Sequence, residues 1–168
     1  MTQALNALAD QATQRAARTK DSVSAELISF AIGEEQYGVD IMAVREIKGW
    51  SEINHLPGQP DYVRGVLNLR GVMVPIIDLR CRFGGGLTEA TPLHVVIIVQ
   101  IEDQQIGLLA DRVLDIVAFE SAQVQPVPNV VRNTRTEFLS GLLTVEAGMI
   151  AMIDLSHLLD DRFTAQAA

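Results

Sequence analysis

The stretch that decides the fold is YVRGVLNLRGVMVPIIDL at residues 62–79, which returns in altered form as FLSGLLTVEAGMIAMIDL at residues 138–155. The two copies align without a gap. Each has two runs of strand-forming residues separated by a short turn, a pattern that indicates a β-hairpin. A β-rich unit that occurs twice predicts two similar lobes with a groove between them. The aligned identical pairs include Gly65/Gly141, Met73/Met149 and Asp78/Asp154, which we interpret as hairpin, core and cap positions respectively.

A second, shorter repeat precedes each copy. Residues 32–39, IGEEQYGV, match residues 101–108, IEDQQIGL, and residues 44–47 match residues 113–116. The two copies of the long repeat lie farther apart in the chain than the two copies of the short one, so the second unit holds several additional residues between its repeats. Two repeats in the same order favour an internal duplication. The alternative is that unrelated β-hairpins share similar residue preferences.

About five short strands are predicted in each unit, with turns at regular intervals and few helices. This pattern is typical of small closed β-barrels, which leave no exposed sheet edge. The sequence leaves open whether the strand predicted at residues 27–32 completes the first lobe or crosses to the second. The predicted divisions of this mainly β chain are a mobile tail at 1–25, a first lobe at 26–83, a Gly-rich linker at 84–92, a second lobe at 93–160 with a C-terminal helix, and a tail at 161–168.

Three hairpin residues carry structural predictions. Asp78 and Asp154 each precede a short helical turn, so they are interpreted as N-caps rather than as catalytic acids. Pro75 has no N–H group to donate to a strand ladder, so its strand is predicted to lie at a sheet edge or to contain a bulge.

Composition restricts the classes of function. The formal net charge is −8, and residues 84–168 hold eleven acidic and four basic side chains. This charge argues against nucleic acid as a partner, because phosphate binding needs a basic surface. Cys81 is the only cysteine, so no intramolecular disulfide can form. No apolar run is longer than that at residues 95–99, which is far shorter than the roughly 20 residues that span a bilayer, and we expect a cytoplasmic protein.

No catalytic or metal-binding motif is found. The three histidines, His55, His94 and His157, are far apart and lack metal-ligand spacing. No nucleophile elbow, P-loop or dinucleotide fingerprint is present. We therefore expect no enzyme activity, no cofactor and no metal. A small-ligand or enzymatic role in the groove is the alternative, and it requires that folding bring a histidine or Cys81 beside acidic side chains.

Four segments, residues 35–41, 44–47, 63–71 and 74–80, carry a resemblance to a known family. Together they resemble the CheW family of bacterial chemotaxis coupling proteins. The resemblance covers about residues 26–160 and implies two side-by-side SH3-like β-barrels without enzymatic activity.

The resemblance also implies an adaptor in two-component signal transduction. Such a protein would bridge the cytoplasmic tips of chemoreceptors (methyl-accepting chemotaxis proteins) and the regulatory domain of the CheA histidine kinase. It would be a monomer by itself and would join membrane receptor arrays without entering the membrane. A regulatory module of another two-component kinase pathway is the alternative.

The resemblance further implies binding residues. An amphipathic receptor helix docks best into an apolar groove. Adjacent strand residues face opposite sides, so only one of Val95 and Val96 can face that groove. Arg70 would offer a forked donor to a receptor carboxylate or carbonyl. The implied receptor-binding residues are Val44, Glu46, Gly65, Arg70, Val95 and Val96. Kinase contact is implied on the first lobe, where the candidates are the exposed apolar residues Met42, Ile47 and Val72.

Overall fold

The computed structural model describes residues 24–51, 53–128 and 136–158. Most of the predicted N-terminal tail, the end of the predicted second lobe and the whole predicted tail at 161–168 lie outside these residues. Among the described residues, no helix is long and apolar enough to cross a membrane.

Ten strands form the body of the described chain, and all helical segments within it are short. The strands are β1 (Ser24–Ile32), β2 (Glu35–Asp40), β3 (Val44–Gly49), β4 (Val63–Leu69), β5 (Val72–Asp78), β6 (Val95–Ile101), β7 (Gln104–Ala110), β8 (Arg112–Glu120), β9 (Leu139–Val145) and β10 (Gly148–Ile153). The helical segments are α1 (Leu79–Arg82) and 3₁₀ turns at Ile41–Ala43, Ser121–Gln123, Thr136–Phe138 and Leu155–His157.

The strands form two five-stranded sheets. One has the order β3-β6-β7-β5-β4, and its five strands follow one another directly in the chain order. The other has the order β8-β1-β2-β10-β9 and joins residues 24–40 to residues 112–153. We call them the continuous barrel and the split barrel. The expected mainly β fold with two five-stranded units is confirmed.

The barrels differ from the contiguous lobes expected at 26–83 and 93–160. The whole β1–β2 hairpin pairs with strands of the second unit, and the β6–β7 hairpin pairs with strands of the first. The physical reason is the connection at Ile41–Ala43. If the first unit closed on itself with the same strand order, β2 and β3 would run parallel with β1 between them. Parallel strands need a crossover of a dozen or so residues, and three residues cannot supply it, so the chain passes into the other sheet.

The duplication is visible in the strand register. Val44 pairs with Val99 in the continuous barrel, and the equivalent Val113 pairs with Phe30 in the split barrel. The register shifts at the equivalent place after each pair. In β3 the shift lies between residues 44 and 46, and in β8 it lies between residues 113 and 115. The two sequence repeats therefore build the same ladders twice.

Strand β5 corrects the prediction made from Pro75. It lies between β7 and β4, so it is not an edge strand. The parallel pairing with β7 starts at Ile76, one residue after the proline. In the split barrel the equivalent pairing starts earlier and includes Ala151, the counterpart of Pro75. A central strand thus accommodates the proline because the ladder on one side begins just beyond it.

One apolar cluster, which we call the shared core, joins the two barrels. Strand residues alternate between faces, so Ile97 and Val99 of β6 point into the shared core while Val96 and Ile98 point into the continuous barrel. Leu27, Leu143 and Ile150 fill the split barrel. The buried members of the shared core are Ile28, Phe30, Ile32, Tyr37, Val39, Tyr62, Val63, Ile77, Leu79, Phe83, Ile97, Val99, Ile106, Leu108, Ala110, Phe138, Ile153 and Leu158.

The core interpretation of Met73 and Met149 is wrong. They are the second residues of β5 and β10, next to the hairpin turns, and their side chains are 53% and 54% exposed.

Both predicted N-caps are confirmed. The Asp78 side chain accepts a hydrogen bond from the Cys81 backbone N–H, and the Asp154 side chain accepts one from Ser156. The predicted C-terminal helix is present in the described residues as the 3₁₀ turn Leu155–His157.

Candidate functional site

Two of the expected receptor-binding residues form an ion pair on the surface of the continuous barrel. The Arg70 guanidinium contacts the Glu46 carboxylate, and the arginine side chain is 76% exposed. Arg70 and Gly71 both have positive φ, 52° and 87°, as a tight two-residue hairpin turn requires. The Asn68 side chain fixes this turn by accepting a hydrogen bond from the Gly71 N–H at 2.9 Å. The turn therefore presents a positioned cation to solvent.

Gly65 lies where the continuous barrel closes. The backbone of Asn54 forms an isolated bridge with Val66 through two hydrogen bonds of 2.8 and 3.0 Å. A Cβ atom at position 65 would stand 2.2 Å from the Asn54 carbonyl oxygen, and φ is +147°. The absence of a side chain at Gly65 therefore allows a close approach of the protein's own backbone at Asn54. The split barrel closes in the same way at Gly141, beside the bridge between Gln125 and Leu142.

The two adjacent valines have different surroundings, as strand alternation requires. Val96 is only 2% exposed and packs inside the continuous barrel, so its side chain belongs to the core and not to a surface. Val95 is half-buried and packs against the shared core. Val44 is also half-buried at the margin of that core. Val44 and Val95 thus border the junction between the barrels.

The three candidate kinase-contact residues are all exposed. Met42 is 77% exposed in the 3₁₀ turn where the chain passes from one barrel to the other. Ile47 on β3 is 42% exposed, and Val72 at the start of β5 is 51% exposed. Apolar side chains in such positions gain most from a partner that covers them.

A buried polar network beside the site was not anticipated from the sequence. The Asp78 carboxylate is fully buried and accepts bonds from Thr88 N–H at 2.8 Å and Thr88 Oγ1 at 2.7 Å. Arg64 contacts the same carboxylate at 3.0 Å and donates to the Thr88 carbonyl at 2.6 Å. Its guanidinium also lies 5.7 Å from the ring centre of Trp50. Thr88 therefore anchors the linker at 84–92 to the continuous barrel. In the sequence, the difference between Arg64 and its counterpart Ser140 was the sign that the first copy holds an additional polar contact.

The histidines do not assemble an active site in the described part of the chain. His94 Nε2 lies 3.5 Å from Asp111, and its Nδ1 accepts a hydrogen bond from the Thr91 backbone N–H at 3.0 Å. The lone pair a general base would need is thus engaged by backbone. His157 lies 3.0 Å from the capping Asp154. His55 is exposed in the loop before β4, and no group of three or more potential metal ligands occurs among the described residues.

Cys81 is a poor nucleophile in this setting. Its side chain is half-buried against the shared core. Burial raises the pKa of the thiol, and the carboxylates of Asp78 and Asp61 raise it further against the opposing effect of Arg64. The thiolate is the reactive form, so these surroundings favour the inert thiol at neutral pH.

Comparison with known proteins identifies the family to which this double barrel belongs. Residues 26–163 match the family model of the CheW-like domain. The chain belongs to the CheW-like family. It is 41% identical over 130 residues to the chemotaxis protein CheW of Rhizobium meliloti, a match that covers 77% of this chain and 84% of the relative. It is 35% identical over 139 residues to CheW of Klebsiella aerogenes, with 83% and 84% covered.

A solved structure agrees with the family assignment. The crystal structure of the scaffolding protein TtCheW from Thermoanaerobacter tengcongensis matches with a TM-score of 0.74 and 33% sequence identity. The match covers 81% of this chain and 88% of that one. The CheW-like fold of two SH3-like barrels, expected from the resemblance, is therefore confirmed.

Proposed function

We propose that this protein is a non-enzymatic chemotaxis scaffold that couples chemoreceptor cytoplasmic tips to a CheA-type histidine kinase. The observation that carries the proposal is the CheW-like match over residues 26–163, with relatives named as chemotaxis and scaffolding proteins. Under this proposal the protein acts at receptor arrays. It transmits receptor state by holding receptor and kinase together and not by chemistry.

The proposed receptor surface lies on the continuous barrel and at its junction with the split barrel. Val44 and Val95 offer partly exposed apolar surface to a receptor helix. Arg70 offers a bidentate donor to a carboxylate or carbonyl on that helix, and Glu46 holds the guanidinium in place until the partner arrives. Gly65 contributes by keeping the barrel closed beneath this surface.

The proposed kinase surface consists of Met42, Ile47 and Val72. Ile47 and Val72 are exposed apolar side chains on strands β3 and β5, and Met42 is exposed on the 3₁₀ turn that leads into β3. A CheA regulatory domain that covers them would bury their exposed apolar area.

Charge reversal at Arg70 tests the receptor surface. Arg70→Glu places two carboxylates together and removes the donor, so we expect receptor-tip binding to fall about tenfold or more, or ~1.4 kcal/mol. Kinase binding should be retained. Isothermal titration with a purified receptor hairpin and a kinase regulatory domain measures both affinities.

Two matched variants make that measurement specific. Glu146→Arg changes charge at the equivalent turn position of the split barrel and should leave receptor binding unchanged. The double variant Glu46→Arg/Arg70→Glu restores an ion pair in reverse. If a receptor group binds Arg70 itself, the double variant stays weak. Unchanged binding of both partners by a folded Arg70→Glu protein would overturn the site.

Reconstitution tests the function as a whole. Purified kinase and a receptor signalling fragment are combined with and without this protein, and kinase autophosphorylation is measured. We expect receptor-dependent control of the kinase only when the protein is present. Equal kinase activity in both mixtures, with all three components folded, would refute the coupling role.

A further inference from the structure

Arg82 occupies a special place in the duplication. The gapless alignment of the long repeats pairs Tyr62 with Phe138, and its continuation pairs Arg82 with Leu158. The Arg82 guanidinium carbon lies 4.2 Å from the ring centre of Tyr62 and 4.5 Å from that of Phe138. Its Nε donates to the Leu158 backbone carbonyl at 2.9 Å. One side chain therefore contacts both members of an equivalent aromatic pair and also its own counterpart.

These contacts cross from one barrel to the other. Tyr62 directly precedes β4 of the continuous barrel, whereas Phe138 precedes β9 and Leu158 follows β10 of the split barrel. Equivalent hydrogen bonds hold both aromatic residues, since the carbonyls of Tyr62 and Phe138 accept from Asp78 and Asp154 N–H at 2.7 Å. Arg82 thus inserts between two anchored rings where the two copies meet.

The chemistry of this contact differs from that of the shared core around it. Burial of apolar surface is non-directional and supplies attraction between the barrels. A planar guanidinium stacked on aromatic rings, with a carbonyl held by Nε, is satisfied only in a narrow range of orientations. Because its partners belong to both barrels, this preference acts on the angle between them.

We propose that Arg82 is the positioning residue that sets the orientation of the two barrels relative to each other. The consequence for partners rests on the proposed function: a receptor helix at the junction near Val44 and Val95 would meet a surface whose shape Arg82 holds constant. Arg82 itself need not touch any partner.

The test measures barrel orientation in the free protein. Spin labels are placed at Glu34→Cys in the split barrel and Asp103→Cys in the continuous barrel, which are equivalent exposed turn positions, in a Cys81→Ala background. Pulsed electron resonance then gives the distance distribution between the labels. We expect one narrow distribution with Arg82, and a broadened or shifted one in Arg82→Met, which keeps an apolar stem between the rings but loses the planar charge and the donor.

Controls and a partner measurement separate the possible results. Arg80→Ala, which truncates an exposed arginine in the same helical turn, should leave the distribution unchanged. A folded Arg82→Met protein with the parent distribution would overturn the proposal. If that variant does not fold, Arg82→Lys decides by the same criterion. Receptor affinity of the variants is measured separately, so a failure of the proposed coupling role would leave the distance result standing.

Discussion

At the scale of single residues, the duplication shows how one position acquires a second task. Asp78 and Asp154 are both caps, and the sequence alone predicted that role correctly. Only Asp78 also binds Arg64 and Thr88 and becomes fully buried. The cap was predictable because its partners are neighbours in the chain. The buried network was not, because Thr88 lies beyond the helical turn and the glycine-rich stretch that follows it.

The paired aspartates allow a stability comparison within one protein. Asp78→Ala removes the carboxylate that pairs with Arg64 and accepts hydrogen bonds from Thr88 of the linker, and breaking a buried ion pair costs about 3–5 kcal/mol. Asp154→Ala removes a partly exposed N-cap, which costs about 1 kcal/mol. Urea unfolding followed by circular dichroism gives both values. Equal losses for the two variants would show that the Asp78 network contributes little beyond capping.

At the scale of elements, the local sequence pattern predicted where the strands lie but not which strands pair with each other. The two runs of strand-forming residues in each long repeat predicted a β-hairpin there, and the hairpins β4–β5 and β9–β10 are observed. The partners of each hairpin depend on connection length and on contacts far along the chain. The prediction of an edge or bulged strand at Pro75 was wrong because a proline removes only its own N–H donor from a strand ladder. Here the pairing of β5 with β7 starts at Ile76, just after the proline.

Barrel closure provides the prediction at this scale. Gly65→Ala would push the Asn54 backbone away in addition to straining φ, whereas Gly33→Ala meets nothing within 4 Å and only strains φ, at +62°. We expect about 1–2 kcal/mol of destabilisation for Gly33→Ala and a clearly larger loss for Gly65→Ala. Hydrogen exchange at the Val66 amide, which donates to the Asn54 carbonyl, should speed up only in Gly65→Ala. Retained protection at that amide would show that the barrel closes without the glycine.

At the scale of the whole molecule, sequence repeat and structural barrel have different boundaries. The first lobe predicted from the repeats runs through residues 26–83, yet the strands of one complete barrel lie within residues 44–110. The three-residue connection at Ile41–Ala43 forces this difference, and the shared core then joins the two barrels into one body. The resemblance to the CheW family predicted two barrels correctly, but the division of the chain between them required the strand pairing.

This division predicts which fragment can fold. Residues 41–112 contain every strand of the continuous barrel, whereas residues 26–83 contain β1 and β2, which belong to the other sheet. A fragment of that size is marginal, and it also loses the cover that the split barrel gives Ile97 and Val99. We nevertheless expect the 41–112 fragment to show dispersed amide signals and cooperative unfolding by nuclear magnetic resonance and urea titration. The 26–83 fragment should show neither, because the short connection at Ile41–Ala43 cannot carry β3 back beside β1. Cooperative folding of 26–83 together with an unfolded 41–112 would mean that each repeat can close its own barrel, and the connection argument would then be wrong.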